Sequence, residues 1–196
     1  MRIIAGKYKS RAVKAPDNMK IRPTSDKVKG ALFNMLEPLT GSSVVDFYAG
    51  TGNLGLEALS RGAVEVVMVD SGFESLKLMQ ENLRSFEINP KVFGSPVRVM
   101  PSEVSKAFHL LHQEGRKFDI LIADPPYEKG VLKKLQGLLL QYPILKKDGI
   151  FAVEHGSDDT EVLADFAYPI VRQKKYGDTM LTLFRNDSEI EGVSEI

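Results

Sequence analysis

Short apolar runs alternate with segments of helical periodicity between residues 44 and 184. The runs predict strands and the periodic segments predict helices. Strands are predicted at 44–49, 64–69, 97–100, 118–123 and 149–153, and helices at 54–61, 73–86, 102–114 and 129–142. Two more runs, 168–175 and 180–184, flank a turn at 176–179 and predict a closing antiparallel hairpin. This alternation predicts an α/β fold with a seven-stranded, mostly parallel sheet.

An N-terminal segment precedes the first strand of the sheet. Residues 2–21 predict one or two short strands, and Arg22-Pro23-Thr24 opens a predicted helix. The helix has an apolar stripe that we expect to dock on the sheet domain, formed by Val28, Ala31, Leu32, Met35 and Leu36. Lys27 and Lys29 lie off this stripe and are predicted to face outward.

The net charge is zero, but the basic residues are concentrated at the N-terminus. Residues 1–40 hold nine basic and three acidic residues, whereas the remainder holds 17 basic and 23 acidic ones. Such a stretch is either a solvated face or an arm that contacts a polyanion. We therefore divide the chain into a basic arm and helix packed on the core (1–40), a ligand-binding domain (41–185) and an acidic flexible tail (186–196).

The composition excludes several classes of protein. The chain has no cysteine, which excludes a disulfide scaffold, a cysteine-ligated zinc and a cysteine nucleophile. No apolar run reaches the ~18 residues of a membrane span, and the N-terminus does not resemble a signal peptide. We expect a cytoplasmic protein.

The first chemical motif is the segment 46–55, which carries G-x-G-x-x-G between a predicted strand and helix. One reading is a loop that binds the pyrophosphate of a dinucleotide. However, Asp46 lies four residues before Gly50, and a carboxylate there would oppose phosphate. It suits a cationic ligand without phosphate, such as S-adenosylmethionine. A third reading is that Asp46 caps the glycine turn and binds no ligand.

The second feature is Asp70, at the end of the second predicted strand. An acidic residue at this position can accept both ribose hydroxyls of an adenosine group. Asp70 therefore supports a nucleoside ligand, but it does not distinguish NAD from S-adenosylmethionine.

The third motif is Asp124-Pro125-Pro126-Tyr127, after the apolar strand 118–123. The two prolines remove two N–H donors and favour an extended turn with accepting carbonyls. Carbonyl and carboxylate acceptors beside an aromatic ring suit the exocyclic amine of a nucleobase, because they relieve the charge that develops on nitrogen during attack. A carboxylate accepts only, so it can bridge the adjacent N1–H and N2 donors of guanine, although adenine is not excluded.

The order of these motifs resembles the class I S-adenosylmethionine-dependent methyltransferases that act on exocyclic amines. Four segments narrow the resemblance to the bacterial small-subunit ribosomal RNA guanine-N2 methyltransferases of the RsmD type. These are residues 2–11 (RIIAGKYKSR), 21–29 (IRPTSDKVK), 32–36 (LFNML) and 46–63. The resemblance covers about residues 2–185. It implies a Rossmann-like class I methyltransferase fold, with one guanine of 16S RNA as the target. That base must leave its stack to expose its amine.

The resemblance also implies roles for individual residues. The predicted cofactor-binding residues are Asp46, Tyr48, Gly50, Gly52, Asp70, Ser71, Ser102, Glu103 and Asp124. The predicted catalytic residues are Asp124, Pro125 and Tyr127, of which Asp124 orients the amine and Tyr127 stacks on the base. The predicted RNA-binding residues are Lys7, Lys9, Arg11, Arg22, Thr24 and Lys27. No metal is required.

Three other functions stay open from the sequence. They are a DNA methyltransferase acting on the adenine N6 amine, a module that binds a nucleotide and docks on RNA, and an NAD-dependent oxidoreductase. For the preferred function the partner is 16S rRNA, the small ribosomal subunit or its assembly intermediate. We expect a monomer that does not bind a membrane.

Overall fold

The computed structural model describes residues 1–15, 26–126, 130–156, 163 and 165–187. They fall into two compact units, Met1–Val104 and Ser105–Ile196. The elements in chain order are α1 (Asp26–Leu36), β1 (Ser43–Phe47), α2 (Asn53–Ser60), β2 (Glu65–Asp70), α3 (Phe73–Ser85), β3 (Val97–Pro101), α4 (Val104–Gln113), β4 (Phe118–Ala123), α5 (Val131–Gln141), β5 (Leu145–Gly156), β6 (Ile170–Tyr176) and β7 (Thr179–Arg185).

The first unit contains three parallel strands in the order β3-β2-β1. Val45 of β1 lies opposite Val67 of β2, which in turn lies opposite Arg98 of β3. The last four residues of β1 and the middle four of β2 are buried without alternation. Continuous burial of this kind is typical of parallel strands that are covered on both faces.

The second unit contains the strands β4-β5-β7-β6. β4 and β5 are parallel, whereas β7 runs antiparallel to both β5 and β6. β6 and β7 are joined through Gly177 and Asp178, and Gly177 has a φ of +62°. A two-residue hairpin turn commonly places glycine at such a backbone angle. The strand order of the whole sheet is β3-β2-β1-β4-β5-β7-β6, which confirms the predicted seven-stranded, mostly parallel sheet with a C-terminal hairpin.

Most predicted boundaries differ from the structure by one or two residues, and three of the differences lie at β1, α4 and β5. β1 ends at Phe47, two residues early, and α4 begins at Val104 rather than at 102. β5 starts at Leu145 rather than at 149. Its exposed first half resembles a polar loop in the sequence, but Lys146 pairs there with Asp119 of β4 at 2.9 Å. Leu145 is buried and lies opposite Phe118 of β4, so the strand begins before the polar segment.

The N-terminal arm, of which the structure describes residues 1–15, folds onto α2 within the first unit. Arg2 and Ala12 form an antiparallel bridge. The backbone N–H groups of Lys7 and Tyr8 donate to the carbonyl and hydroxyl oxygens of Ser60, at 2.8 and 2.9 Å. A Cβ on Gly6 would lie 1.8 Å from the Ser60 carbonyl oxygen, so the segment approaches α2 more closely than a side chain allows. Glycine is therefore required at position 6.

The helices of the described residues are too short and too polar to cross a membrane. Most of the predicted acidic tail, residues 188–196, and the predicted start of the first helix lie outside the described residues.

Candidate active site

The glycine motif forms a tight loop between β1 and α2. Tyr48, Gly50 and Gly52 have φ angles of +60°, +54° and +78°, in the region that disfavours most side chains. Gly55 has a different role, because a Cβ there would lie 2.5 Å from Cε of Met68 on β2. Two glycines therefore shape the loop, and Gly55 allows α2 to pack closely against the sheet.

Asp46 is fully buried near the end of β1. Its Oδ2 accepts a hydrogen bond from the backbone N–H of Gly55 at 2.8 Å. Because the carboxylate has no exposed surface, its role in this structure is to stabilise the segment that contains the glycine loop. The structure thus shows the capping contact that the sequence left as an alternative to direct ligand binding.

Asp70 joins the two loops that follow β1 and β2. Its Oδ2 accepts from the N–H of Gly50, and its Oδ1 accepts from the N–H of Gly72, both at 2.8 Å. The side chain is partly exposed, unlike that of Asp46. Each carboxylate oxygen has two lone pairs, so both oxygens can accept a further hydrogen bond from a ligand. The glycine loop and its acidic partner are thus preorganised as one group.

The carboxyl end of β3 lies beside the carboxyl end of β2. The backbone N–H of Ser102 donates to the Asp70 carbonyl oxygen at 3.0 Å. Ser102 is partly exposed, whereas Ser71 and Glu103 are exposed. The structure therefore brings Gly50, Asp70 and Ser102 together by direct contact, with Ser71 and Glu103 adjacent in the chain.

In the second unit, Asp124 and Pro125 directly follow β4. Asp124 is partly exposed and Pro125 is buried. Ligands of open α/β sheets bind outside the carboxyl ends of strands, which is where Asp124 lies on its own strand. Tyr127 lies outside the described residues.

The predicted RNA-binding residues divide into three groups. Lys7, Lys9 and Lys27 are exposed. Arg11 is also exposed, but its guanidinium donates to the Ser85 carbonyl oxygen and lies 4.6 Å from the ring centroid of Phe86. Arg11 thus helps to attach the arm to α3. Arg22 and Thr24 lie outside the described residues.

The prediction that Lys29 faces outward is wrong. Its ammonium is fully buried and donates to the Arg2 carbonyl oxygen at 2.6 Å and to Asn53 Oδ1 at 2.7 Å. It also forms an ion pair with Glu57 at 3.4 Å. Burial lowers the pKa of Lys29, against the raising effect of the Glu57 carboxylate. The sequence around Lys29 does not indicate its burial, because its partners lie on α2 and in the arm.

Asn82 links α3 to the glycine loop and the arm, and no sequence motif indicates this role. It is fully buried on α3. Its Nδ2 donates to the carbonyl oxygens of Thr51 in the glycine loop and Lys14 in the arm, at 2.9 and 3.2 Å. Its Oδ1 accepts from the Lys14 N–H at 2.8 Å. A signal for Asn82 was its position three residues after Met79, on the apolar face of α3.

Comparison with known proteins places this architecture in a family. The sequence matches the family described as Conserved hypothetical protein 95 over residues 1–185. The chain belongs to this family. YlbH of Bacillus subtilis is 33% identical over 94% of this chain and 98% of its own length. The Escherichia coli protein named Ribosomal RNA small subunit methyltransferase D is 28% identical over 97% of this chain and 92% of its own. The predicted RsmD-type resemblance is confirmed.

Two solved structures resemble the fold of this chain. The structure of yhhF from Escherichia coli has a TM-score of 0.81 at 28% identity, covering 96% of this chain and 99% of that chain. The structure of SMU.776 in complex with SAH has a TM-score of 0.65 at 15% identity, covering 81% of this chain and 48% of that chain. The latter likeness shows a shared fold. The predicted class I methyltransferase fold is confirmed.

Proposed function

We propose that this protein transfers a methyl group from S-adenosylmethionine to the N2 amine of a guanine in 16S ribosomal RNA. The observation that carries the proposal is the Asp70 carboxylate, which accepts N–H groups from both Gly50 and Gly72 at 2.8 Å. This contact unites the ribose-binding acid of a nucleoside site with the glycine loop. The family relative named Ribosomal RNA small subunit methyltransferase D supports the choice of substrate.

The residues of the first unit fit S-adenosylmethionine better than a dinucleotide. Asp46, although buried, places a carboxylate behind the glycine loop, where it disfavours a pyrophosphate. Asp70 would hold the ribose hydroxyls, with Ser71, Ser102 and Glu103 toward the adenine. The backbone at Tyr48, Gly50 and Gly52 would lie along the rest of the cofactor. When bound, S-adenosylmethionine supplies an electrophilic methyl group.

Asp124 is the residue that prepares the target amine. Its carboxylate accepts hydrogen bonds from the amine and stabilises the positive charge that develops on nitrogen. A carboxylate can accept N1–H and N2–H of guanine together, which favours guanine over adenine. Pro125 fixes the backbone that follows Asp124. Tyr127 stacks on the base once it has left the RNA helix.

The arm supplies the electrostatic part of substrate binding. Lys7 and Lys9 are exposed on a segment that is fixed to α2 through Ser60. Cations held on a rigid segment neutralise phosphates and orient the RNA without reading its sequence. Arg22, Thr24 and Lys27 complete this surface in the proposal, and the substrate is naked 16S rRNA or a small-subunit particle.

The test is to incubate the protein with labelled S-adenosylmethionine and unmethylated small subunits, naked 16S rRNA or DNA. The labelled nucleoside is then identified after digestion. We expect N2-methylguanosine from the RNA. Label in N6-methyladenine from DNA would contradict both the base and the polymer, and stabilisation by NAD but not by S-adenosylmethionine in a thermal-shift assay would contradict the cofactor.

The role of Asp124 is tested separately with Asp124→Ala. This variant should lose most methyl transfer, because the amine loses its acceptor. Its Kd for S-adenosylmethionine should stay within a few-fold of that of the unaltered protein, because Asp70 and the glycine loop supply most of the proposed cofactor contacts. Full activity of Asp124→Ala would instead assign amine orientation to another group.

A further inference from the structure

A pocket of about 680 Å³ opens on the first unit between α3, the segment 87–91 and β3. Its volume lies within the ~300–1,000 Å³ typical of sites for small ligands. Leu76, Ile88 and Val99 provide apolar walls. Among the residues that the structure describes, none of those proposed above to bind the cofactor or the target base lines it. The described lining of the pocket therefore does not include the glycine loop.

Cations dominate the charged groups of this pocket. Arg84, Lys91 and Arg98 contribute three positive charges, and Glu87 contributes one negative charge. Arg84 and Lys91 are exposed, so their side chains can adjust to a ligand. Such a lining favours a ligand that joins an anionic group to an apolar one. A nucleotide fits this description, because it joins a phosphate to a flat aromatic base.

The basic arm contacts the C-terminal end of α3, next in the chain to residues that line the pocket. Arg11 of the arm donates to the Ser85 carbonyl oxygen, next to Arg84. The ring of Tyr8 packs edge-on against Phe86 at 5.3 Å, directly before the segment that forms the pocket wall. Lys7 lies over the ring of Tyr8 at 5.1 Å. A polyanion held by the arm would therefore extend toward the pocket.

An exposed aromatic ring lies just beyond the pocket wall. Phe93 is fully exposed two residues after Lys91, and its neighbour Val92 is 57% exposed. Proteins that bind single-stranded nucleic acid combine cationic grooves with aromatic rings on which bases stack. The same combination of features is present on this face.

We propose that this pocket binds an unpaired nucleotide of the RNA substrate, outside the target guanine. The phosphate contacts Arg84 and Lys91, and the base lies against the apolar walls. The pocket would thus fix the position of the RNA relative to the first unit. This inference rests on the proposed function, because it assigns a second contact for the same RNA.

The charge contribution is tested with the double variant Arg84→Gln/Lys91→Gln. Its matched control is Lys133→Gln/Lys134→Gln, which removes the same charge from exposed positions of α5. The Kd for naked 16S rRNA is measured at several salt concentrations. We expect about tenfold weaker binding and a slope of log K against log salt that is smaller by about 0.7, which is the contribution of one single-strand phosphate contact.

The base contribution is tested by filling the pocket with Gln80→Trp. Gln80 is exposed on α3 and lines the pocket, and Gln113→Trp at an exposed position of α4 is the control. Gln80→Trp should weaken rRNA binding several-fold without changing the salt slope. Thermal unfolding and the Kd for S-adenosylmethionine should match the unaltered protein in every variant.

Normal rRNA binding by either pocket variant would overturn the proposal. It would also be overturned if the variants bound naked rRNA normally and lost affinity only for small subunits, because the pocket would then bind a ribosomal protein. Methyl transfer by the unaltered protein is measured in parallel. If the unaltered protein methylates rRNA and the pocket variants bind rRNA as well as their controls do, only the pocket proposal fails. If the unaltered protein does not methylate rRNA, the proposed function itself fails.

Discussion

α2 and α5 begin in the same way and are packed very differently. Each follows a glycine with a left-handed backbone, Gly52 with φ +78° and Gly130 with φ +87°. Yet seven of the eight residues of α2 are buried, whereas α5 buries four of its eleven. The buried residues of α5 are all leucine. Those of α2 include Asn53, Glu57 and Ser60.

The difference reflects what each helix contacts in its unit. α5 is an ordinary amphipathic helix with one apolar face. α2 connects the glycine loop to the N-terminal arm, and its buried polar side chains hold that arm. The Glu57 carboxylate accepts from the backbone N–H groups of Ile4 and Ala5, at 2.8 and 3.1 Å. It also pairs with Arg61 at 2.8 Å. A residue change in α2 should therefore affect the fold and the arm together.

The largest loss of stability should come from Glu57→Ala in α2. This substitution leaves the Lys29 ammonium buried without its carboxylate and removes the acceptor of two arm N–H groups. Removing one partner of a buried ion pair costs about 3–5 kcal/mol. The free energy of unfolding in urea measures this loss. On α5, Gln136→Ala removes an exposed hydrogen bond to the Asp165 carbonyl oxygen and should cost about 1 kcal/mol or less. Equal losses from the two substitutions would contradict the comparison.

The sequence pattern indicates the packing of α5 more directly than that of α2. The leucines Leu132, Leu135 and Leu139 show the helical period directly. Glu57 resembles a solvated residue when only α2 is considered, because Lys29, Ile4 and Ala5 lie 28 residues or more away from it, on α1 and in the arm. Local periodicity carries no information about such partners.

The candidate site also has residues that the sequence identifies and contacts that only the structure shows. Gly50, Gly52 and Asp70 could be found from the sequence because a turn and a strand end require particular residue types at short spacing. The structure shows the contacts of Asp70 with Gly50 and Gly72, as well as the burial of Asp46. These depend on how strands pair, which one sequence does not specify.

The next largest effect is expected from Gly55→Ala in α2. The new Cβ would lie 2.5 Å from Cε and 3.0 Å from Cγ of the buried Met68, so that side chain must move. Overpacking of this kind costs about 1–3 kcal/mol, from which the higher helix propensity of alanine recovers about 1 kcal/mol. We expect a lower midpoint in urea with an unchanged m-value. A variant more stable than the unaltered protein would show that the Met68 side chain can move aside without an energetic penalty.

A smaller effect should appear in the pH dependence of stability. Burial lowers the pKa of Lys29 below its ordinary value of 10.5, so between the folded and unfolded values the unfolded chain holds more protons. The contribution of Lys29 to the free energy of unfolding therefore rises with pH in this range, by at most about 1.4 kcal/mol per pH unit. Lys29→Met should remove this rise in urea titrations just below pH 10.5. An unchanged slope would exclude Lys29 as its source.

The smallest effect, with the opposite sign, is expected from Gly137→Ala in α5. A Cβ at Gly137 meets no atom within 4 Å, in contrast to Gly55. Alanine should then stabilise the helix by about 0.5–1 kcal/mol, because glycine loses more backbone entropy on folding. The thermal midpoint and the urea midpoint should both rise. Gly137→Ala and Gly55→Ala make the same chemical change in two helices, so opposite signs would show that packing around α2, rather than helix propensity, selects glycine at position 55. If both variants were stabilised, the close packing of α2 against Met68 would not be the reason for its glycine.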